Sequence, residues 1–312
     1  MATLAYPLEC TLRLPDGWIN AQRFERALVA CGDALGGPFS TVVVRISAGC
    51  SLMIDVVIRL LSFCNQVIAS AKRLRLEFLG GADGVMGYLD RMGFFDGLNR
   101  EAEVAPHRPL FSGAALHRGG NRGLVEIYRF SGDVRPDQSL PGELAKAVER
   151  ACSSRHDGSQ AARAIANIIS ELMSNVAEHS GSSLDAFAVL QTYTNGNRVT
   201  VAVSDSGKGI MGTLVPVLRS RGDPLANLTE TDLLIEIFRK GLSSNADDNR
   251  GMGLMDSARS AIRYRADLDV RLLNQRVLLK PSGNAYRANT AYTQEKLPLL
   301  WGTHISFSLD LS

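Results

Sequence analysis

One stretch of this chain constrains its folding more than any other. Ile165, Ile168, Ile169, Leu172 and Val176 recur at the three-and-four spacing of a helix with one buried face. Val199, Val201 and Val203 then alternate with Thr200, Ala202 and Ser204, the period-two signature of a strand that runs from Arg198 to Ser204. The strand ends in Asp205-Ser-Gly207-Lys-Gly209-Ile210, and an apolar helix opens later at Gly251-Met-Gly253-Leu254-Met-Asp.

The polar face of the first helix carries Asn167, Glu171, Ser174, Asn175 and Glu178. Glu171 and Asn175 stand four apart, so their side chains leave the same face one turn apart. A carboxylate and an amide oxygen in that relation can hold a hard cation and orient a water, although a solvated helix face has the same composition. Gly207 and Gly209 permit backbone conformations closed to other residues and let a ligand approach the main chain. At Gly251 and Gly253 a helix start offers unpaired N–H groups at the positive end of its dipole, an anion site. Read together, the three elements describe a site for a nucleotide.

Two commoner phosphate motifs are excluded. Gly207-Lys-Gly209 has no Gly five residues before it and no Ser or Thr after Lys208, so it is not a P-loop, and Gly251-Met-Gly253-Leu-Met-Asp256 lacks the third glycine of the dinucleotide fingerprint. Glu171-x-x-x-Asn175, Asp205-x-Gly207-x-Gly209 and Gly251-x-Gly253-Leu254, in this order, do resemble the N box and the two glycine boxes of the GHKL superfamily. That superfamily includes the gyrase, heat-shock chaperone, histidine kinase and mismatch-repair ATPases. The resemblance runs from about Leu140 to the C-terminus, and Gly302-Thr303-His-Ile-Ser-Phe307 is similar to the family's Gly-Thr strand.

The resemblance implies ATP and Mg²⁺ as cofactors. Asp205 would accept the hydrogen bond of the adenine amino group with Thr303 helping through a water, while Gly207, Gly209 and Ile210 close over the base. Asn175 would bind Mg²⁺, and the amides around Gly251, Gly253 and Leu254 would face the phosphates. Glu171 matches the catalytic acidic residue that polarises water in the ATPases or activates a protein hydroxyl in the serine kinases. Leu234, Ile235 and Phe238 resemble the apolar part of a lid running from about Met211 to Arg250. One departure is Glu178, which stands where many histidine kinases have a Lys; His179, Lys240 or Arg250 are candidates to replace that cation. His156-Asp157 lies too close before Asn175 to serve as the phosphoacceptor of a sensor histidine kinase.

At 312 residues and 45% apolar content, the chain is long enough for two domains with a core each. Its formal charge of +2 argues against a bulk electrostatic grip on nucleic acid. Cys10, Cys31, Cys50, Cys64 and Cys152 are widely spaced and form no CxxC pair, as expected of buried reduced thiols. The start Met-Ala-Thr-Leu-Ala-Tyr-Pro lacks the features of a signal peptide, and no apolar run approaches membrane length. A soluble, cytoplasmic protein with no membrane partner is the expectation.

The expected fold class is α/β: a C-terminal α/β sandwich of the GHKL (Bergerat) type, residues 123–312, preceded by a smaller α/β unit, residues 1–104, and a connector, residues 105–122. In the first unit, Thr41–Ile46 and Leu74–Phe78 read as strands. Leu52 to Ala71 reads as a helix interrupted by Asp55 and Arg59, and a further helix is expected from Asp83 to Leu98. This order is similar to a STAS-type domain, the fold of anti-sigma-factor antagonists, which implies a protein partner. Phosphorylatable members of that group present Asp-Ser-Ser-Gly at a helix start; this chain departs from that with Gly49-Cys-Ser51-Leu-Met-Ile-Asp55, so Ser51 is a poor match for the acceptor. The GHKL resemblance also allows a homodimer. Glu171 favours an ATPase switch acting on a protein partner; the alternatives are an anti-sigma-type serine/threonine kinase and a nucleotide-binding scaffold without turnover.

Overall fold

The computed structural model describes residues 8–117, 124–131, 142, 146–150, 156–193, 198–242 and 252–310. The N-terminal elements are β1 (Glu9–Leu14), β2 (Gly17–Ile19), α1 (Ala21–Cys31), β3 (Thr41–Ile46), β4 (Cys50–Leu52), α2 (Ile54–Ala69), β5 (Arg73–Phe78), α3 (Val85–Met92), α4 (Phe94–Gly97) and β6 (Glu103–Ala105). Strands β1, β3, β5 and β6 form a parallel sheet in that order. Its central strand β3 is a β-branched run with Val42, Val43 and Val44 all buried, as a parallel strand covered on both faces requires. The single helix expected from Asp83 to Leu98 breaks into α3 and α4 at Gly93, whose left-handed backbone (φ 82°) ends the first helix.

After α5 (Gly113–His117) and β7 (Leu124–Phe130) come α6 (Gly158–His179), β8 (Ala186–Tyr193), β9 (Arg198–Ser204), α7 (Gly209–Ser220), α8 (Glu230–Lys240) and α9 (Met252–Arg263). Strands β10 (Asp267–Arg271), β11 (Arg276–Ser282), β12 (Ala285–Ala288) and β13 (His304–Asp310) follow. β7 to β13 make one antiparallel sheet in the order β12-β11-β10-β13-β9-β8-β7. The protein is thus a mixed α/β structure with one parallel and one antiparallel major sheet. No helix among the described residues is long and apolar enough to cross a membrane. Cys10, Cys31, Cys50 and Cys64 are free and buried; Cys152 lies outside the described residues.

Strand alternation assigns the two faces of the antiparallel sheet. Val199, Val201 and Val203 of β9, with Ala186, Ala188 and Leu190 of β8, join the core under α6 and α9. Phe187, Val189 and Ala202 point the other way, into the core of the N-terminal unit. The small residues Thr200, Ala202 and Ser204 are therefore buried, and α2 lies on them.

The N-terminal elements and the antiparallel sheet thus pack directly against each other. Asp55, Arg59, Ser62 and Gln66 recur along α2 at helical spacing, so the supposed interruptions form one polar stripe. Arg59, Ser62 and Gln66 turn that stripe onto the antiparallel sheet and the loops at its end. Arg59 reaches Asp269 at 3.0 Å and Glu25 at 3.3 Å; Glu25 also holds Arg271 at 3.0 Å, and Asp269 holds Arg276 Nε at 2.8 Å. Burial pushes the Asp269 carboxyl up, but the Arg59 and Arg276 guanidinium groups outweigh it and hold it below the usual carboxylate range. At the rim, Tyr193 Oη accepts the Ile54 N–H at 3.1 Å and Tyr88 Oη donates to Gln191 Oε1 at 2.9 Å. Removing one partner of a buried charge cluster leaves the others uncompensated, so these ion pairs tie the two units together where they meet. Within the N-terminal unit, Arg108 donates to the Leu98 and Asn99 carbonyls at 3.1 and 2.6 Å, closing the end of α4.

Candidate functional site

β9 and β13 are antiparallel neighbours in which Ser204 pairs with His304. Asp205, just after one strand, therefore meets Thr303, just before the other. The Asp205 N–H donates to the Thr303 carbonyl at 3.1 Å, and the Thr303 N–H donates to Asp205 Oδ2 at 3.0 Å. Asp205 Oδ1 accepts the Gly207 N–H at 2.8 Å. Thr303 Oγ1 accepts the Ile210 N–H at 2.9 Å, capping the start of α7. The carboxylate is buried, and burial pushes its pKa up to about 6 against the pull of the two backbone N–H groups.

Gly207 is required by a close approach. A Cβ there would lie 2.1 Å from the carbonyl oxygen of Ser180, just past the end of α6, and the next residue, Lys208, donates its N–H to that oxygen at 3.0 Å. The turn after β9 is thereby pinned to the C-terminal end of the helix that carries Glu171 and Asn175.

A cavity, partly open to solvent, lies between these parts. Its walls are apolar: Leu172 and Val176 of α6, Val203, Leu214, Leu242, Leu254 and Ile305. Convergent polar groups come from Asn175, Ser180, Asp205, Thr213 and Thr303. An apolar cleft with a few fixed polar groups is the ordinary form of a small-molecule site.

Of the residues singled out from sequence, Asn175, Asp205, Gly209, Ile210, Leu254 and Thr303 line this cavity. Gly207 shapes it without lining it. Asn175 Nδ2 donates to the Glu171 carbonyl at 2.8 Å, so the amide oxygen is the atom of this side chain that could serve a hard cation. No group of three or more His, Cys, Asp and Glu side chains suited to a metal occurs among the described residues. Glu171 is half-buried one turn away and does not line the cavity. Burial, then the nearby Glu178 and Asp256 carboxylates, raise its pKa, the direction that suits a proton-accepting role. Gly253 lies in the first turn of α9, while Gly251 and Arg250 lie outside the described residues.

Other sequence expectations are revised here. Lys240 is held by Glu236 at 2.9 Å on the same helix and does not line the cavity; of the His179 side chain nothing is described. Leu234 and Phe238, expected in a lid, are core residues, and Phe238 packs edge-on against Tyr286 of β12 at 6.3 Å. α8 is a capped, anchored helix, with Thr229 Oγ1 accepting the Asp232 N–H at 3.1 Å, because its apolar residues fall on one face and find the sheet edge. Residues 243–250 of the expected lid lie outside the described residues. The lining residues missed from sequence, among them Thr213, Leu214, Leu242 and Ile305, carry no local signal beyond being apolar or small. No family model matches the chain, and neither a curated protein nor a solved structure matches it.

Proposed function

We propose that this chain binds Mg-ATP in the cavity between α6 and the Asp205–Thr303 end of the antiparallel sheet, in the manner of a GHKL nucleotide domain. The observation that carries the reading is a fixed acceptor beside a fixed donor. Both Asp205 oxygens are held by backbone N–H groups yet keep lone pairs, while Thr303 Oγ1, already accepting from Ile210, keeps its O–H to give. Adenine presents the complement, an amino donor beside a ring-nitrogen acceptor, whereas guanine presents the reverse and would meet the carboxylate with a carbonyl oxygen.

The rest of the cavity is compatible with that ligand. Its apolar walls suit the faces of a base, and Asn175 offers one oxygen to Mg²⁺, which ordinarily takes few protein ligands beside phosphates. Glu171 lies nine residues before Ser180, about 13.5 Å along the axis of α6 at 1.5 Å per residue, and so away from the Asp205–Thr303 end of the cavity. There it would polarise a water or hydroxyl, and its raised pKa suits that task. Gly253 and Leu254 would face the phosphates in the first turn of α9.

Turnover then makes the protein an ATPase switch acting on a protein partner, with the STAS-like N-terminal unit as the partner-binding part. Titration calorimetry of Mg-ATP against the wild-type chain and Asp205→Asn tests the site. Labelled ATP with and without lysate protein separates the outcomes: free phosphate marks the switch, labelled protein a serine/threonine kinase, and neither a scaffold.

A further inference from the structure

The side chain that joins the two halves of the base-recognition pair belongs to the N-terminal unit. Gln66, on the polar stripe of α2, is fully buried. Its Nε2 donates to Ser206 Oγ at 2.8 Å and to the Trp301 carbonyl at 3.0 Å, and its Oε1 accepts the Trp301 N–H at 2.8 Å. Ser206 follows Asp205, and Trp301 stands two residues before Thr303. One carboxamide therefore ties together the two loops that present the acceptor and the donor. Neighbouring contacts brace the same junction: Ser62 Oγ meets Ser204 Oγ at 2.8 Å, and His304 Nε2 lies 3.1 Å from the Trp301 carbonyl.

We propose that Gln66 is a positioning residue for adenine recognition, through which the N-terminal unit braces the loops on either side of the Asp205–Thr303 pair, whose register the β9–β13 pairing sets. It does not line the cavity and so acts on the ligand only through those loops. The proposal rests on the adenine reading of the cavity. A buried glutamine with three bonds across two loops holds both in one relation, whereas an apolar residue of the same size leaves the Trp301 N–H and the Ser206 hydroxyl to find other partners and lets the loops shift.

The test uses the full chain and measures calorimetric affinity for ATP and for ITP, whose base carries a carbonyl where adenine carries the amino group. Wild type is expected to prefer ATP. Gln66→Met is expected to weaken ATP binding about tenfold and ITP binding by less than about twofold, so that the preference collapses. A purely structural role would weaken both equally. Ser206→Ala keeps both Gln66 bonds to Trp301 and removes only the link to the Asp205 loop. It is expected to lose about threefold for ATP alone, the effect of one neutral hydrogen bond, and it carries the test should Gln66→Met fail to fold. An intact preference, or equal losses for the two nucleotides, overturns the role of Gln66 and leaves the nucleotide site standing. A wild-type chain with no preference for ATP overturns the adenine reading and this proposal with it.

Discussion

Replacing Asp205 by Asn separates the stability of the site from its recognition of a ligand. In the wild type each carboxylate oxygen accepts one backbone N–H, from Gly207 at 2.8 Å and from Thr303 at 3.0 Å. Asn has a single acceptor oxygen, so one of these buried donors loses its partner, at a cost of about 1–3 kcal/mol. Against this stands the cost of keeping a buried carboxylate charged. Burial pushes the Asp205 pKa from 3.8 to about 6, which at 1.36 kcal/mol per unit is about 3 kcal/mol at neutral pH, and Asn removes it. The two effects nearly cancel, so the stability of Asp205→Asn in urea at pH 7 is expected within about 2 kcal/mol of wild type. Recognition has no such compensation: loss of a charge-assisted bond to the amino group, about 1.5–3 kcal/mol, should weaken ATP binding by about ten- to a hundredfold. pH gives a second readout. The folded chain holds the Asp205 proton more tightly than the unfolded chain, so this group's contribution to stability is fully present below about pH 4 and is lost as pH rises through about 6. ATP affinity should run the opposite way, falling as pH drops through about 6 in wild type but not in the variant. Unchanged calorimetric affinity in folded Asp205→Asn protein would refute the assignment of the base site.

Glu171→Ala should lower phosphate release about 10²–10⁴-fold while ATP affinity stays within a few fold; equal turnover in a steady-state assay would remove Glu171 from the chemistry. Asn175→Ala should weaken ATP binding only when Mg²⁺ is present, and calorimetry with and without the ion checks it. Arg59→Ala leaves Glu25 and Asp269 short of a buried partner and should cost about 3–5 kcal/mol in urea denaturation, so a loss under 1 kcal/mol would show that the interface does not depend on the charge cluster. Gly207→Ala places a methyl 2.1 Å from the Ser180 carbonyl oxygen and should cost about 1–3 kcal/mol together with most ATP binding; a stable, binding-competent variant would mean the turn is free to move.

Much of the local structure was legible in the sequence, because period is a local property. β9 runs from Arg198 to Ser204 and β3 from Thr41 to Ile46, as their patterns indicate, and the helical face from Ile165 to Val176 lies within α6. The Asp205 and Gly207 turn was visible too, as a break after a strand. Sequence could not say that Thr303, 98 positions beyond Asp205, would supply the N–H for its second oxygen, since that depends on β13 pairing beside β9. Nor could it give the purpose of the charges in α2. Asp55 and Arg59 look like defects in an apolar helix until the partner of Arg59, Asp269, arrives from 210 positions away. The same holds for the Thr200, Ala202 and Ser204 side of β9, whose alternation does not say what covers it and which is the seat of α2. Alternation states that two faces differ; what covers each is decided by long-range packing, and here a second unit's helix displaced water from one of them.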